Sequence, residues 1–136
     1  MMSVGALLAD RRLNVRRILV IDDNADAADL LGAIMAMEGH VVEVAHGGRE
    51  GLAAAANFLP DVVFLDIGMP EMDGYQVAIE LRRNPLMIAA RIVALTAWGD
   101  DKSRARAVEC GFDAHLVKPA KIESLLSEAN LVRPAK

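Results

Sequence analysis

Short apolar runs recur along the chain, and each stops at a polar residue. Ile18-Leu19-Val20-Ile21 runs into Asp22-Asp23, and Val62-Val63-Phe64-Leu65 into Asp66. Ile92-Val93-Ala94-Leu95 runs into Thr96, and Leu116-Val117 into Lys118-Pro119. The runs are continuous rather than alternating and rich in β-branched residues, the pattern of strands covered on both faces in a parallel sheet. A weaker run, Val41 to Ala45, carries Glu43 in its middle, which suits an edge strand. Between the runs, apolar residues return at the three-to-four-residue spacing of a helical face. They are Ala27, Leu30, Leu31, Ile34 and Met37; Leu52, Ala55, Ala56 and Leu59; Val77 and Leu81; Ala105 and Val108; and Ile122, Leu125, Leu126 and Ala129. Asn24 or Asp26 is placed to cap the first helix and Gly39 to end it. Pro60, Asn84-Pro85 and Gly111 stop the next three. Alternation of strand and helix predicts an α/β fold, an open parallel sheet with helices on both faces.

Length and composition narrow the function. The 136 residues make one domain, and 54% hydrophobic with 25% charged residues excludes a disordered chain. Fifteen basic against nineteen acidic residues leave a net charge of −4, which argues against a nucleic-acid partner. The longest stretch without a formal charge, 51–60, is half the roughly 20 residues of a spanning helix. The first nine residues lack the basic start of an export signal. Cys110 is the single cysteine and cannot pair internally. These features lead us to expect a cytoplasmic protein with no membrane partner. Residues 1–16 are expected to form an N-terminal extension, 17–131 the domain and 132–136 a tail. Arginines at 11, 12, 16 and 17 read as a solvated basic segment.

Ligands of open parallel sheets bind beyond the carboxyl ends of the strands. Asp22, Asp23, Asp66, Thr96 and Lys118 all fall on that edge. One strand ending in Asp is ordinary turn chemistry; four strands ending in polar residues on one edge are not. Three neighbouring carboxylates resist ionisation unless a cation sits among them. Oxygen donors without a Cys or His set favour Mg²⁺ or Mn²⁺ over zinc. A carboxylate is also a nucleophile toward phosphorus, and a lysine with a hydroxyl would meet the oxygens of the transferring group.

The residues at these strand ends resemble the signature set of response-regulator receiver domains. The contexts agree: Ile-Leu-Val-Ile-Asp-Asp-Asn, Val-Phe-Leu-Asp-Ile-Gly-Met-Pro-Glu-Met-Asp-Gly-Tyr, Ala-Leu-Thr-Ala and Gly-Phe-Asp-Ala-His-Leu-Val-Lys-Pro. The resemblance implies a flavodoxin-like sheet of strand order 2-1-3-4-5 with five helices. It implies a phosphorylation-controlled signalling switch of a two-component system or phosphorelay. Asp66 would be the phosphoacceptor. Asp23, Asp66 and the backbone carbonyl of Gly68 would ligate Mg²⁺, with Asp22 assisting. Lys118 would pair with the Asp66 carboxylate and then with the phosphoryl oxygens, and Thr96 would hydrogen-bond the phosphoryl group. Pro119 would shape the next loop, often after a cis bond. The implied partners are a sensor histidine kinase or histidine phosphotransfer protein, and a downstream protein target on the fourth helix, fifth strand and fifth helix. Chemistry would be limited to self-phosphorylation and slow autodephosphorylation, whether the receiver stands alone or comes from a longer protein.

Three positions depart from or embellish that pattern. His115 stands three residues before the lysine, where the family often has Tyr or Phe. Gly68, two residues after Asp66, and Trp98, two after Thr96, flank the site. The competing reading is a metal-dependent phosphohydrolase with an aspartyl-phosphate intermediate, but Gly68 stands where such an enzyme needs a second acid. A flavin domain would place phosphate against Asp22-Asp23, which repel it.

Overall fold

The computed structural model describes residues 15–131; the expected tail, and the extension except Val15 and Arg16, lie outside them. The strands are β1 (Arg17–Ile21), β2 (Val41–Ala45), β3 (Val62–Asp66), β4 (Arg91–Thr96) and β5 (Ala114–Val117). The helices are α1 (Ala25–Met37), α2 (Gly48–Phe58), α3 (Gly74–Arg83), α4 (Asp101–Cys110) and α5 (Ile122–Asn130). A 3₁₀ turn at Pro85–Met87, with no forerunner in the periodicity, precedes β4. All strand pairs are parallel, in the order β2-β1-β3-β4-β5. Glu43 accordingly lies on an edge strand, and it is exposed.

Successive side chains of a strand enter opposite faces. Leu19, Ile21, Val63, Leu65, Ile92 and Ala94 pack against α2, α3 and α4. Ile18, Val20, Val62, Phe64, Val93 and Leu95 pack against α1 and α5. Each run is therefore apolar throughout because both faces are covered. At roughly 1.5–3 kcal/mol per large buried side chain, these two layers dominate the favourable side of folding.

The helical faces differ from the expected stripes: Ala56 and Leu59 at the end of α2 and Ile122 at the start of α5 are exposed, and α1 and α4 depart further. On α1 the buried residues are Ala28, Leu31, Gly32 and Met35, while Leu30 is 63% and Met37 86% exposed. This helix is apolar on most sides, so spacing does not select a face. Contact with β2 does: a Cβ on Gly32 would lie 2.8 Å from Val44 Cγ2. On α4, Ala107 is buried, whereas Ala105 and Val108 face solvent. Apolar burial on this helix is slight, and Arg106 adds a stacking contact 4.0 Å from the centre of the Tyr75 ring.

Two arginines have structural tasks. Arg17 was expected in a solvated segment. It is exposed, as expected, and its guanidinium also donates to the Phe58 carbonyl from Nε (3.0 Å) and Nη2 (2.7 Å), satisfying the C-terminal end of α2. Arg82, near the end of α3, donates to the carbonyls of Gly111 (2.9 Å), Met87 (3.0 Å) and Ala90 (2.7 Å) and to Asp113 Oδ2 (2.7 Å). Asp113 in turn accepts from the backbone N–H of Ile92 at 2.8 Å. One nearly buried ion pair thus joins α3, the 3₁₀ turn and the starts of β4 and β5. Breaking such a pair leaves a buried charge and several carbonyls without donors. Arg82→Ala should cost about 3–5 kcal/mol, measured by urea unfolding; a loss below about 1 kcal/mol would show that water replaces the guanidinium freely.

Candidate functional site

The carboxyl ends of β1, β3, β4 and β5 bring the polar residues together. Ligand oxygens of Asp22, Asp23 and Asp66 all lie within 4.8 Å of one another. Asp22, Asp66 and Thr96 are the buried polar residues of the described chain, at 3%, 7% and 1% exposure; Asp23 is exposed. The loops are held by their own short bonds. Asn24 N–H donates to Asp22 Oδ1 (3.0 Å) and its side chain caps α1, while Gly68 N–H donates to Asp66 Oδ1 (3.2 Å). Asp73 and Gln76 form a reciprocal capping box at the start of α3. Gly74 lets that first turn sit directly on the end of β3, since a Cβ there would lie 2.5 Å from the Asp66 carbonyl oxygen.

Lys118 supplies the opposing charge. Its Nζ lies 3.0 Å from Asp22 Oδ2 and 3.5 Å from Asp66 Oδ1. The expected pairing with Asp66 is thus present, but Asp22 is the nearer partner. Burial works against the lysine's charge; the hydrogen bond to Asp22 and the charges of Asp66 and Asp22 outweigh it, so its pKa is raised. Asp66 behaves oppositely. Burial, then the charge of Asp22, push its carboxyl up to about 6, and Lys118 offsets this only in part. The Lys118–Pro119 bond is cis.

Thr96 ends β4 beside Asp66. Its Oγ1 accepts the backbone N–H of Trp98 at 3.0 Å. His115 on β5 donates Nε2–H to the Trp98 carbonyl at 2.8 Å, and its buried Nδ1 has no partner. No sequence signal announced this clamp, because both its ends on Trp98 are backbone atoms. His46 pairs with Asp29 (3.0 Å), and His40 Nδ1 accepts from Arg16 N–H (3.0 Å), so both remaining histidines have ordinary partners.

The donor set suits a hard divalent cation. It offers carboxylate oxygens only, and among the described residues no hydrogen bond or ion pair engages the exposed Asp23 carboxylate. Such an acidic triad is typical of the Mg²⁺ site of receiver domains.

The raised pKa of Asp66 has a stability consequence. Its folded value of about 6 lies above the ordinary 3.8, so folding takes up a proton between these values. Ionised Asp66 therefore opposes folding at neutral pH, and the cost disappears once both states are protonated. Asp66→Asn should stabilise the metal-free protein by about 1–3 kcal/mol at pH 8. The difference from the wild type should close as pH falls from about 6 toward 4. Urea denaturation in EDTA across that range measures it; a gap that widened on acidification would have the wrong sign.

Residues 18–130 match the response regulator receiver domain family. The DNA-binding dual master transcriptional regulator RpaA of Synechocystis is 34% identical over 111 residues, covering 82% of this chain and 46% of that protein. The chain thus spans about half the length of this and several other curated relatives. Chemotaxis protein CheY4 of Vibrio cholerae superposes with a TM-score of 0.80 at 28% identity, covering 83% of this chain and 94% of that one. The BeF3-activated receiver domain of DrrB superposes with a TM-score of 0.73 at 25% identity, covering 83% and 92%. With the 2-1-3-4-5 sheet and the acidic edge in place, these matches decide against a phosphohydrolase: the chain belongs to the response regulator receiver domain family of two-component signalling, a phosphoacceptor module rather than an enzyme.

Proposed function

We propose that Asp66 accepts a phosphoryl group from a partner phosphohistidine and that Thr96 and Lys118 convert its arrival into a change of surface. The observation that carries this reading is the position of Lys118 Nζ between Asp22 and Asp66. Asp66 is the carboxylate whose charged form burial and the charge of Asp22 disfavour, and it lies within reach of the Lys118 ammonium that would meet the oxygens of an acyl phosphate. Its carboxylate oxygen attacks phosphorus, the P–N bond of the donor breaks, and the imidazole departs with the electron pair. Asp23, Asp66 and the Gly68 carbonyl would hold Mg²⁺ (Mn²⁺ fits equally), with Asp22 at its side. The bound ion supplies charge neutralisation to the phosphoryl oxygens.

Lys118 then turns from the carboxylates to a phosphoryl oxygen, a charge-assisted bond stronger than the 3.5 Å contact it leaves. The Thr96 hydroxyl accepts from Trp98 N–H, which leaves its own hydrogen for the phosphoryl group. Moving that hydroxyl pulls on the loop of Ala97 and Trp98, shifting an equilibrium between loop conformations. The donor would be a sensor histidine kinase or histidine phosphotransfer protein in the cytoplasm. The signal would leave through α4, β5 and α5, the elements next to that loop, to a protein target. The functional unit on this reading is residues 17–131.

Incubation with a small phosphodonor and Mg²⁺ should add one acid-stable, base-labile phosphoryl group, and Asp66→Asn should abolish it. Labelling of that variant at the wild-type rate would reject Asp66. Thr96→Ala should still be labelled but lose most amide-shift response at residues 97–118, because the nucleophile remains and the relay does not. A full response in Thr96→Ala would remove the threonine from the relay.

A further inference from the structure

The face of α1 turned away from the sheet carries an apolar stripe. Leu30, Ala33 and Met37 follow one another at three- and four-residue steps and are all exposed, with Ile34 half-buried beside them. Met37, at 86%, is the most exposed large apolar side chain of the described residues. The opposite face, Ala28, Leu31, Gly32 and Met35, is the one packed on the sheet. A continuous apolar stripe on the outside of a domain marks a surface that something covers. The charge around it is one-sided: residues 22–45, which span α1 and β2, hold six acidic side chains and no Lys or Arg.

We infer that residues 1–14 of the same chain fold back over this stripe, with the stretch 1–9 on Leu30, Ala33 and Met37, and with Arg11 and Arg12 toward Glu38 and the acidic surface around it. The inference stands apart from the phosphoacceptor reading of Asp66. Composition fits it: Met-Met-Ser-Val-Gly-Ala-Leu-Leu-Ala has no charged side chain, and the two arginines follow directly after Asp10. The point of entry fits it too. Arg16 N–H donates to His40 Nδ1 (3.0 Å), and the Arg16 carbonyl accepts from Val41 N–H (3.0 Å). The chain therefore enters β1 tied to the turn that follows α1, three residues beyond Met37. An imidazole accepts at Nδ1 only while neutral, and burial, then Arg16, lower the pKa of His40. Reach is sufficient. Fourteen extended residues span at most roughly 45–50 Å, whereas α1 is about 20 Å long and about 10 Å across. The segment can round the end of α1 and still cover its length. Tethering makes the contact intramolecular, so a weak apolar contact suffices. Charge selects this face over the other exposed apolar cluster, Ile79, Ile88 and Val108. The helices around that cluster, α3 and α4, carry five basic against three acidic side chains, which disfavours Arg11 and Arg12 there.

The test uses the full isotope-labelled chain with Ser3→Cys carrying a nitroxide in a Cys110→Ala background. The same sample with the nitroxide reduced gives the reference amide spectrum and reports an intact fold. Amides of residues 26–38 should broaden several-fold more than those of α3 and α4. Leu7→Asp/Leu8→Asp and, separately, Leu30→Asp/Met37→Asp should each remove most of that selective broadening. Without any tag, Leu7→Asp/Leu8→Asp should shift the amides of residues 26–38 in the otherwise wild-type chain. Raising the salt should weaken the broadening, and should do so much less in Arg11→Ala/Arg12→Ala, because screening acts on the charges alone. Selective broadening around Ile79, Ile88 and Val108 overturns the inference. So does the absence of selective broadening, which would leave the stripe open to another protein. Broadening seen only when tagged unlabelled chain is mixed with untagged labelled chain also overturns it and makes the occupant a second copy. Broadening on α1 that neither pair of aspartates alters overturns the assignment of the contact to these side chains.

Discussion

Two carboxylates, Asp22 and Asp66, are held almost out of water at the end of adjacent strands with one ammonium group beside them. Desolvation and mutual repulsion make that arrangement unfavourable while both are ionised, and Lys118 relieves only part of the cost. The site is thus tuned toward incoming positive charge. The packed sheet tolerates it because the cost of one carboxylate is small beside two covered layers of buried side chains.

The rest of the fold keeps that edge rigid. Parallel pairing places the ends of β1, β3, β4 and β5 side by side. Helix caps at Asn24, Asp73 and Asp100 start α1, α3 and α4 just beyond the strand ends. At the opposite edge, Arg82 ties α3 to the starts of β4 and β5, and Arg91 pairs with Glu128 of α5 at 2.6 Å. Stiffness at one edge lets a small movement at the other remain local to its loops.

The loop after β4 is where site and surface meet. Thr96 and His115 bond the two backbone groups of one residue, Trp98, from opposite directions. The His115 ring leaves a buried nitrogen without a partner, a cost that a different placement of the loop could relieve. An imidazole in this position acts by hydrogen bonding to the loop, a different handle from the apolar ring that Tyr or Phe would bring.

Sequence alone determined the strand order of chemistry along the chain. Each apolar run is continuous because both faces of its strand are buried, and each ends where the sheet meets solvent; Asp22, Asp23, Asp66, Thr96 and Lys118 could therefore be assigned to one edge before any coordinate was known. The β2 edge position was legible for the same reason, through Glu43. Tertiary structure alone decided the rest. The buried face of α1 follows from the fit of Gly32 against Val44, which spacing on a helix apolar on most sides cannot express. The role of Arg82 depends on carbonyls up to 29 residues away, and backbone acceptors leave no mark in a sequence. Lys118 stands nearer Asp22 than Asp66, and Trp98 lies on Gly68, because side-chain packing across separate loops sets those distances. Periodicity reports what lies inside and outside an element; it carries no information on which atoms of distant elements touch.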